Sequence, residues 1–300
     1  MDFFRYIHAV GTGPKSNRDL SFEEAKDMMQ QMLDQTIPSE QIAAFLLGWR
    51  LKPETNEEFL GALHVCDANI IQQEVSNSIE LGYPFDGKVN NPYIFPFVAD
   101  ILKKNQHKLQ LVIVGDDQQP AKNGITIKDI VSNIDIASNI YYFDRKDFFN
   151  KLHKLTTVRN KLGLRTAFNT LEKLPNVAKS EYAVTGVFHK PYVKKYAALF
   201  ADRYKQLTLI QGNEGTPEIF SKGRLWVVKN GQIQEHKINP EDFGIFYKKS
   251  WEKITLKESL EQLQNPSDEY LKLARLNAAV YLFASEKMPT IEDAYDALTE

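Results

Sequence analysis

The stretch Val158-Arg-Asn-Lys-Leu-Gly-Leu-Arg-Thr-Ala-Phe-Asn169 decides how this chain is read. It lies in the most basic part of the sequence. Residues 145–205 carry 14 Lys/Arg against 4 Asp/Glu, a net of +10, whereas residues 1–80 carry 6 against 13, a net of −7. The overall charge of −2 conceals this asymmetry. A chain neutral on average can still present one basic face, and a polyanion docks on such a face. The pI near 6.3 is low for a nucleic-acid binder, so any such binding rests on clustering. A solvated basic surface with no partner has the same charge pattern.

Ahead of this stretch, the first 75 residues read as four amphipathic helices. Phe3, Phe4, Ile7 and Val10 have helical spacing. Ser21 and Thr55 stand three residues before Glu24 and Glu58, the pattern of a capping box. Phe22, Ala25, Met28, Met29, Met32 and Leu33 share one helical face, and Ile42, Phe45, Leu46 and Trp49 share another. The methionine face suits a core or a dimer interface.

From about residue 80 strands alternate with helices. Leu109–Gly115, Glu181–Phe188 and Leu207–Gly212 read as strands. Lys128–Ile134 and Pro191–Asp202 read as helices, the second with proline in its first turn. That alternation predicts a largely parallel sheet. Asn230-Gly231 marks a hairpin. Residues 268–298 read as helices that close the sheet. The expected fold class is α/β: a small N-terminal helical bundle (1–75, joined by helices around 155–175) and a larger α/β domain (76–300) with a central, mostly parallel sheet.

Composition narrows the function classes. The chain is 43% hydrophobic and 25% charged, as soluble globular proteins are. No apolar run approaches the roughly 20 residues of a membrane helix. Met1–Tyr6 lacks the basic and apolar regions of a signal peptide, and Cys66, the single cysteine, forms no internal disulfide. The expected location is cytoplasmic. The six histidines show no H-x-H or H-x-x-x-H spacing, so no zinc or other structural metal site is expected. His189, at a strand end, is a candidate phosphate contact. Tyr192 and Tyr196, interleaved with Lys190, Lys194 and Lys195, are either core or base-stacking residues; core is expected.

Residues 158–169 resemble the V-R-x-x-L-G-x-R-T-x-F-N signature of the anthranilate phosphoribosyltransferase superfamily (glycosyltransferase family 3 fold). Gln41–Lys52 resembles its Q-I-A-A-F-L helix, Gly186-Val-Phe its G-V-F/Y strand end, and Pro240-Glu-Asp-Phe-Gly244 its P-E-D-F-G segment. The resemblance spans nearly the whole chain. It implies transfer of ribose 5-phosphate from phosphoribosyl pyrophosphate with magnesium, and homodimerisation through the N-terminal helices.

The catalytic segments depart from that pattern. The family's G-T-G-G-D phosphate loop becomes Phe85-Asp-Gly-Lys-Val-Asn-Asn-Pro92, with one glycine and a proline that donates nothing. Its K-H-G-N-R becomes Val114-Gly-Asp-Asp-Gln-Gln119, its H-P-A becomes Phe149-Asn-Lys151, and its D-E metal pair aligns with Pro217-Glu218. Arg159, matching the arginine that holds the acceptor carboxylate, survives, as do Arg165 and Asn169. Gly11–Leu20, Phe85–Asn91, Pro96–Ala99 and Gln211–Gly215 resemble the divergent YbiB-like branch, whose members are homodimers thought to bind nucleic acid through basic grooves.

Two readings follow. In the first, the chain is a catalytically lapsed phosphoribosyltransferase-like homodimer with no cofactor that binds nucleic acid, DNA in particular, independently of sequence. Its contacts are Lys15, Arg18, Lys88, Lys151, Lys154, Arg159, Lys161, Arg165, Lys190, Lys194 and Lys195, with any such surface centred on the helices around 150–165 and 190–205. In the alternative, it uses phosphoribosyl pyrophosphate and magnesium in a cleft lined by Asp86, Gly87, Asn91, Arg159, Asn169 and Glu218. Asp86, Asp116 or Asp117 then replaces the missing magnesium ligand. A protein that binds a small ligand or a partner through the old cleft is a third possibility.

Overall fold

The computed structural model describes residues 2–298. Four helices open the chain: α1 (Phe4–Gly11), α2 (Phe22–Leu33), α3 (Ser39–Leu51) and α4 (Asn56–Ala68). Both capping boxes form. Ser21 and Thr55 accept the backbone N–H of Glu24 and Glu58, whose carboxylates reach back to the cap N–H groups. Donors that a helix start would leave orphaned are thereby satisfied. α1 packs on α3 and α2 on α4. Gly61 allows the second contact, because a Cβ there would lie 2.4 Å from the Phe22 carbonyl oxygen. Met28, Met29 and Met32 are fully buried in this bundle. They are core, and any dimer face lies elsewhere.

The sheet has seven strands: β1 (Ser78–Gly82), β2 (Gln110–Gly115), β3 (Ile140–Asp144), β4 (Tyr182–Gly186), β5 (Gln206–Ile210), β6 (Gly223–Lys229) and β7 (Gln232–Ile238). Their order is β3-β2-β1-β4-β5-β6-β7. The first five are parallel, and β6 and β7 add an antiparallel hairpin. Asn230 and Gly231 turn that hairpin with φ of 50° and 74°, the left-handed pair a tight hairpin needs.

Alternate residues of each strand serve two cores. Val112, Val114, Ala183, Leu207 and Leu209 face the bundle and helix Pro191–Phe200. Leu111, Ile113, Val184 and Ile210 face α5 (Phe95–Lys104) and the helix Asp268–Ala284. Helices on both faces explain the almost unbroken burial of the central strands. The expected helix at Lys128–Ile134 is shorter and begins earlier, at Ile127–Val131, because Thr126 caps it with Asp129. No helix among the described residues is long and apolar enough to cross a membrane.

Candidate functional site

The chain runs outward through β1, β2 and β3, then returns to place β4 beside β1 on the other side. The sheet therefore switches direction between β1 and β4. In open α/β sheets, ligands bind in the crevice beyond the carboxyl ends of the strands at such a point. Here the strand ends lead into Pro84-Phe85-Asp86 and Val187-Phe188-His189. With α3, α4 and helix Pro191–Phe200 they line a cleft of about 710 Å³ between the bundle and the sheet. That is within the usual size of ligand sites, roughly 300–1,000 Å³.

Three cations line this cleft, Arg50, Arg165 and Lys195, with the buried Lys173 amine in its floor. Phe188 and Tyr192 stand on its wall, 48% and 46% exposed. Tyr196 is buried as expected, but Tyr192 is not a core residue. Its position on the first turn of the helix aims it away from the sheet, while Tyr196, one turn on, packs on Phe200. Arg165 donates from Nε and Nη2 to Asp86, at 2.9 and 2.6 Å, and its guanidinium lies 5.7 Å from the Phe188 ring. Asn169 ties the cleft wall together, accepting the Thr166 N–H and donating to the Pro120 carbonyl. Asp116 and Asp117, expected beside the cleft, do not line it.

The residues that the resemblance assigns to donor and acceptor are paired with the chain's own carboxylates and cations. Arg159, expected to grip a ligand, is fully buried and holds Glu172 bidentately at 2.6 and 2.9 Å. Arg145, equally buried, holds the same carboxylate and also Asp116. Burial alone would raise the Glu172 carboxyl; Arg159 and Arg145 instead hold it below its ordinary value.

The donor side is closed in the same way. Glu218 is fully buried and accepts from the Tyr83 hydroxyl, the Ile94 N–H and the Lys88 ammonium. Lys88 is itself 1% exposed and lies over the Phe220 ring at 4.4 Å. Lys88 and Arg159 are therefore removed from the set of surface phosphate contacts. The Val89 and Asn90 N–H groups, on the loop matching the phosphate cradle, donate to the two carboxylate oxygens of Glu214 at 2.6 and 3.1 Å. Asn91 is 1% exposed and exchanges hydrogen bonds with Ser250. Gly87 has φ 76°, and a Cβ there would lie 2.5 Å from the Gly124 backbone. It serves the bridge between Lys88 and Ile125. Gly87, Asn91, Arg159 and Glu218 do not line the cleft; Asp86 and Asn169 do.

This donor set does not fit magnesium, which needs several free oxygen ligands in near-octahedral array. Glu218 is spent on three donors, and Pro217 offers no side-chain ligand. Each substitute is paired: Asp86 with Arg165 and Lys122, Asp116 with Arg145 and His153, Asp117 with Lys128. Asp116, Asp117 and His153 do bring potential ligand atoms within 4.8 Å of one another, a grouping that histidine spacing could not reveal.

The remaining basic candidates are dispersed. Arg18 pairs with Glu24, Lys151 with Asp34 and Lys190 with Glu235. Lys195 donates to the Glu54 carbonyl and lies 4.9 Å from the Phe59 ring. Lys15, Lys154, Lys161 and Lys194 are exposed, with no ion-pair partner among the described residues. Glu172, Lys173 and Glu214 were missed in the sequence, because a lone glutamate or lysine in a helix or loop has no signature until its partners converge.

Comparison with known proteins agrees with the fold. Residues 137–300 match the glycosyl transferase family, a/b domain, and residues 5–69 match its helical bundle domain. An uncharacterized protein of Aquifex aeolicus is 29% identical, over 98% of this chain and 97% of its own length. The anthranilate phosphoribosyltransferase of Neisseria gonorrhoeae is 28% identical, over 95% and 90%. The solved anthranilate phosphoribosyltransferase of Saccharomyces cerevisiae in complex with PRPP and Mg superposes with a TM-score of 0.75 at 15% identity, covering 98% of this chain and 92% of that one. With both of its parts matched in order, the chain belongs to the glycosyl transferase family, within the anthranilate phosphoribosyltransferase superfamily.

Proposed function

We propose that this chain keeps the transferase fold without the transfer reaction, and that its cleft binds nucleic acid independently of sequence. One observation carries the proposal. Glu172, Glu214 and Lys88 occupy the groups that would hold acceptor, donor phosphate and metal, while the open cleft presents three cations, Arg50, Arg165 and Lys195, beside two exposed aromatic rings. Cations that track phosphates, with rings on which bases stack, are what single-stranded binding requires. The protein–ligand register is then set by phosphates and carries no base readout.

The transferase reading draws its support from the relatives, and its cost is high. Phosphoribosyl pyrophosphate would have to displace the Glu214 carboxylate and leave Lys88 or Glu218 unpaired in the interior. The homodimer in this proposal uses the exposed apolar residues Phe4 on α1 and Leu47 on α3. The test is fluorescence anisotropy with unrelated single- and double-stranded oligonucleotides. Three phosphate contacts at about 0.7 each predict a roughly 20-fold loss of single-strand affinity between about 50 and 200 mM salt. Binding that ignores salt, or none at the lower salt, refutes the proposal.

A further inference from the structure

Lys173 sits in the floor of the cleft and has no carboxylate partner among the described residues. It is 6% exposed. Its Nζ donates to two backbone carbonyls, Gly215 at 2.6 Å and Gly186 at 3.3 Å. Lys88, the other lysine buried to that degree among the described residues, is paired with the Glu218 carboxylate. A neutral amine has two N–H donors and one lone pair. Two carbonyl acceptors match it and leave the lone pair free, whereas an ammonium would carry a third donor with no acceptor. The charged groups that bear on Lys173 are Lys122 and Arg165, which oppose a further positive charge, and Asp86 and Glu172, which favour it. Burial, first, and then Lys122 push the amine down to about 7. The two acids are themselves committed, Asp86 to Arg165 and Lys122, Glu172 to Arg145 and Arg159.

We propose that Lys173 is a nucleophilic amine that forms an imine with an aldehyde carrying a phosphate, the phosphate being held by the cations lining the same cleft. The Nζ lone pair adds to the carbonyl carbon, and the C–O π pair moves to oxygen, which takes up the proton released by nitrogen. The resulting hydroxyl takes a solvent proton and leaves as water while the nitrogen lone pair forms the C=N bond, and the iminium nitrogen then returns its remaining proton to solvent to leave the imine. One water is released, and nothing is oxidised or reduced. Arg50, Arg165 and Lys195 line the cleft around Lys173, and an arginine grips a phosphate bidentately. A hydrophobic-walled, cation-flanked lysine is the recognised setting for such chemistry. The aldehyde can be a small phosphorylated molecule or the opened sugar of an abasic site in a strand. The inference needs an open anionic-ligand cleft but not the nucleic-acid reading, since a small aldehyde can react where no strand binds.

The experiment traps the imine in the full-length protein with borohydride at pH 7.5 and maps the adduct by mass spectrometry. One arm uses pyridoxal 5′-phosphate, the other a single-stranded oligonucleotide with one abasic site. Trapping at Lys173 in either arm supports the proposal and identifies the source. The labelling rate at Lys173 should rise to a plateau across pH 6–8, whereas a free lysine in a model peptide gains reactivity up to about pH 10. Lys173→Arg should remove the adduct, and peptide mapping of the unaltered protein gives the same answer if that variant does not fold. Adducts spread over exposed lysines with Lys173 unmodified in both arms overturn it.

Discussion

Replacing Glu172 by glutamine should destabilise the protein far more than any surface charge change. The carboxylate takes two hydrogen bonds from Arg159 and one from Arg145, and all three side chains are at most 4% exposed. Glutamine keeps the shape but leaves two buried guanidiniums with one carboxylate, Asp116, between them. Removing one partner of a buried pair costs about 3–5 kcal/mol. Unfolding entropy of roughly 2.1 cal/mol/K per residue gives a chain of this size about 0.6 kcal/mol per kelvin, so Tm should fall by about 5–8 °C. Calorimetry of Glu172→Gln beside Asp34→Asn supplies the comparison. Asp34 pairs with Lys151 at 2.7 Å, with side chains 34% and 45% exposed, and such pairs contribute about 0–1 kcal/mol. A Glu172→Gln shift no larger than the Asp34→Asn shift refutes the view that Glu172 satisfies both arginines.

Other outcomes follow from the same geometry. Tyr192→Ala should weaken single-strand binding by about 1–3 kcal/mol, the range for one stacked base, with Tm unchanged because the ring is half exposed; anisotropy alongside calorimetry checks both. Lys195→Ala, which removes a cation lining the cleft, should lower the salt slope by about 0.7. Glu214→Ala frees the Val89 and Asn90 N–H groups, so inorganic phosphate should bind the variant and not the parent in a calorimetric titration. Glu80 is pushed up to about 7 by burial, against the hydrogen bonds it accepts from Tyr204 and Asn176. A raised acid contributes stability below its unfolded value near 4.5 that is lost as pH rises through about 7. Glu80→Gln should therefore lose less Tm than the parent between pH 5 and 8; an equal loss contradicts the assignment.

The helices at the start of the chain were legible because their signals are local: capping boxes and apolar spacing need no distant partner. Strands β2, β4 and β5 were legible as apolar runs. β1 was not, because Glu80 interrupts Ser78–Gly82 in the middle of the sheet, and only Asn176 and Tyr204, about a hundred residues on, make a buried carboxyl tolerable there. β3 lies at the sheet edge with Tyr141 exposed and Asp144 at its end, so its burial pattern is incomplete. The site was half legible. Missing glycines and a changed metal pair were visible in order along the chain. Which side chains pair with these groups was not, since Glu172 meets Arg159 and Glu214 meets Val89 only after folding. Arg159 and Lys88 misled for that reason: a cation in a basic segment reads as surface until its buried carboxylate is known.

The measurement that bears most directly on the central claim is an isothermal titration of phosphoribosyl pyrophosphate with magnesium into the full-length protein at millimolar ligand. The account predicts no saturable heat, because Glu214, Glu218 and Lys88 already satisfy the donor groups and no free carboxylate set is left for magnesium. A saturable, magnesium-dependent heat would contradict it and restore the transferase reading.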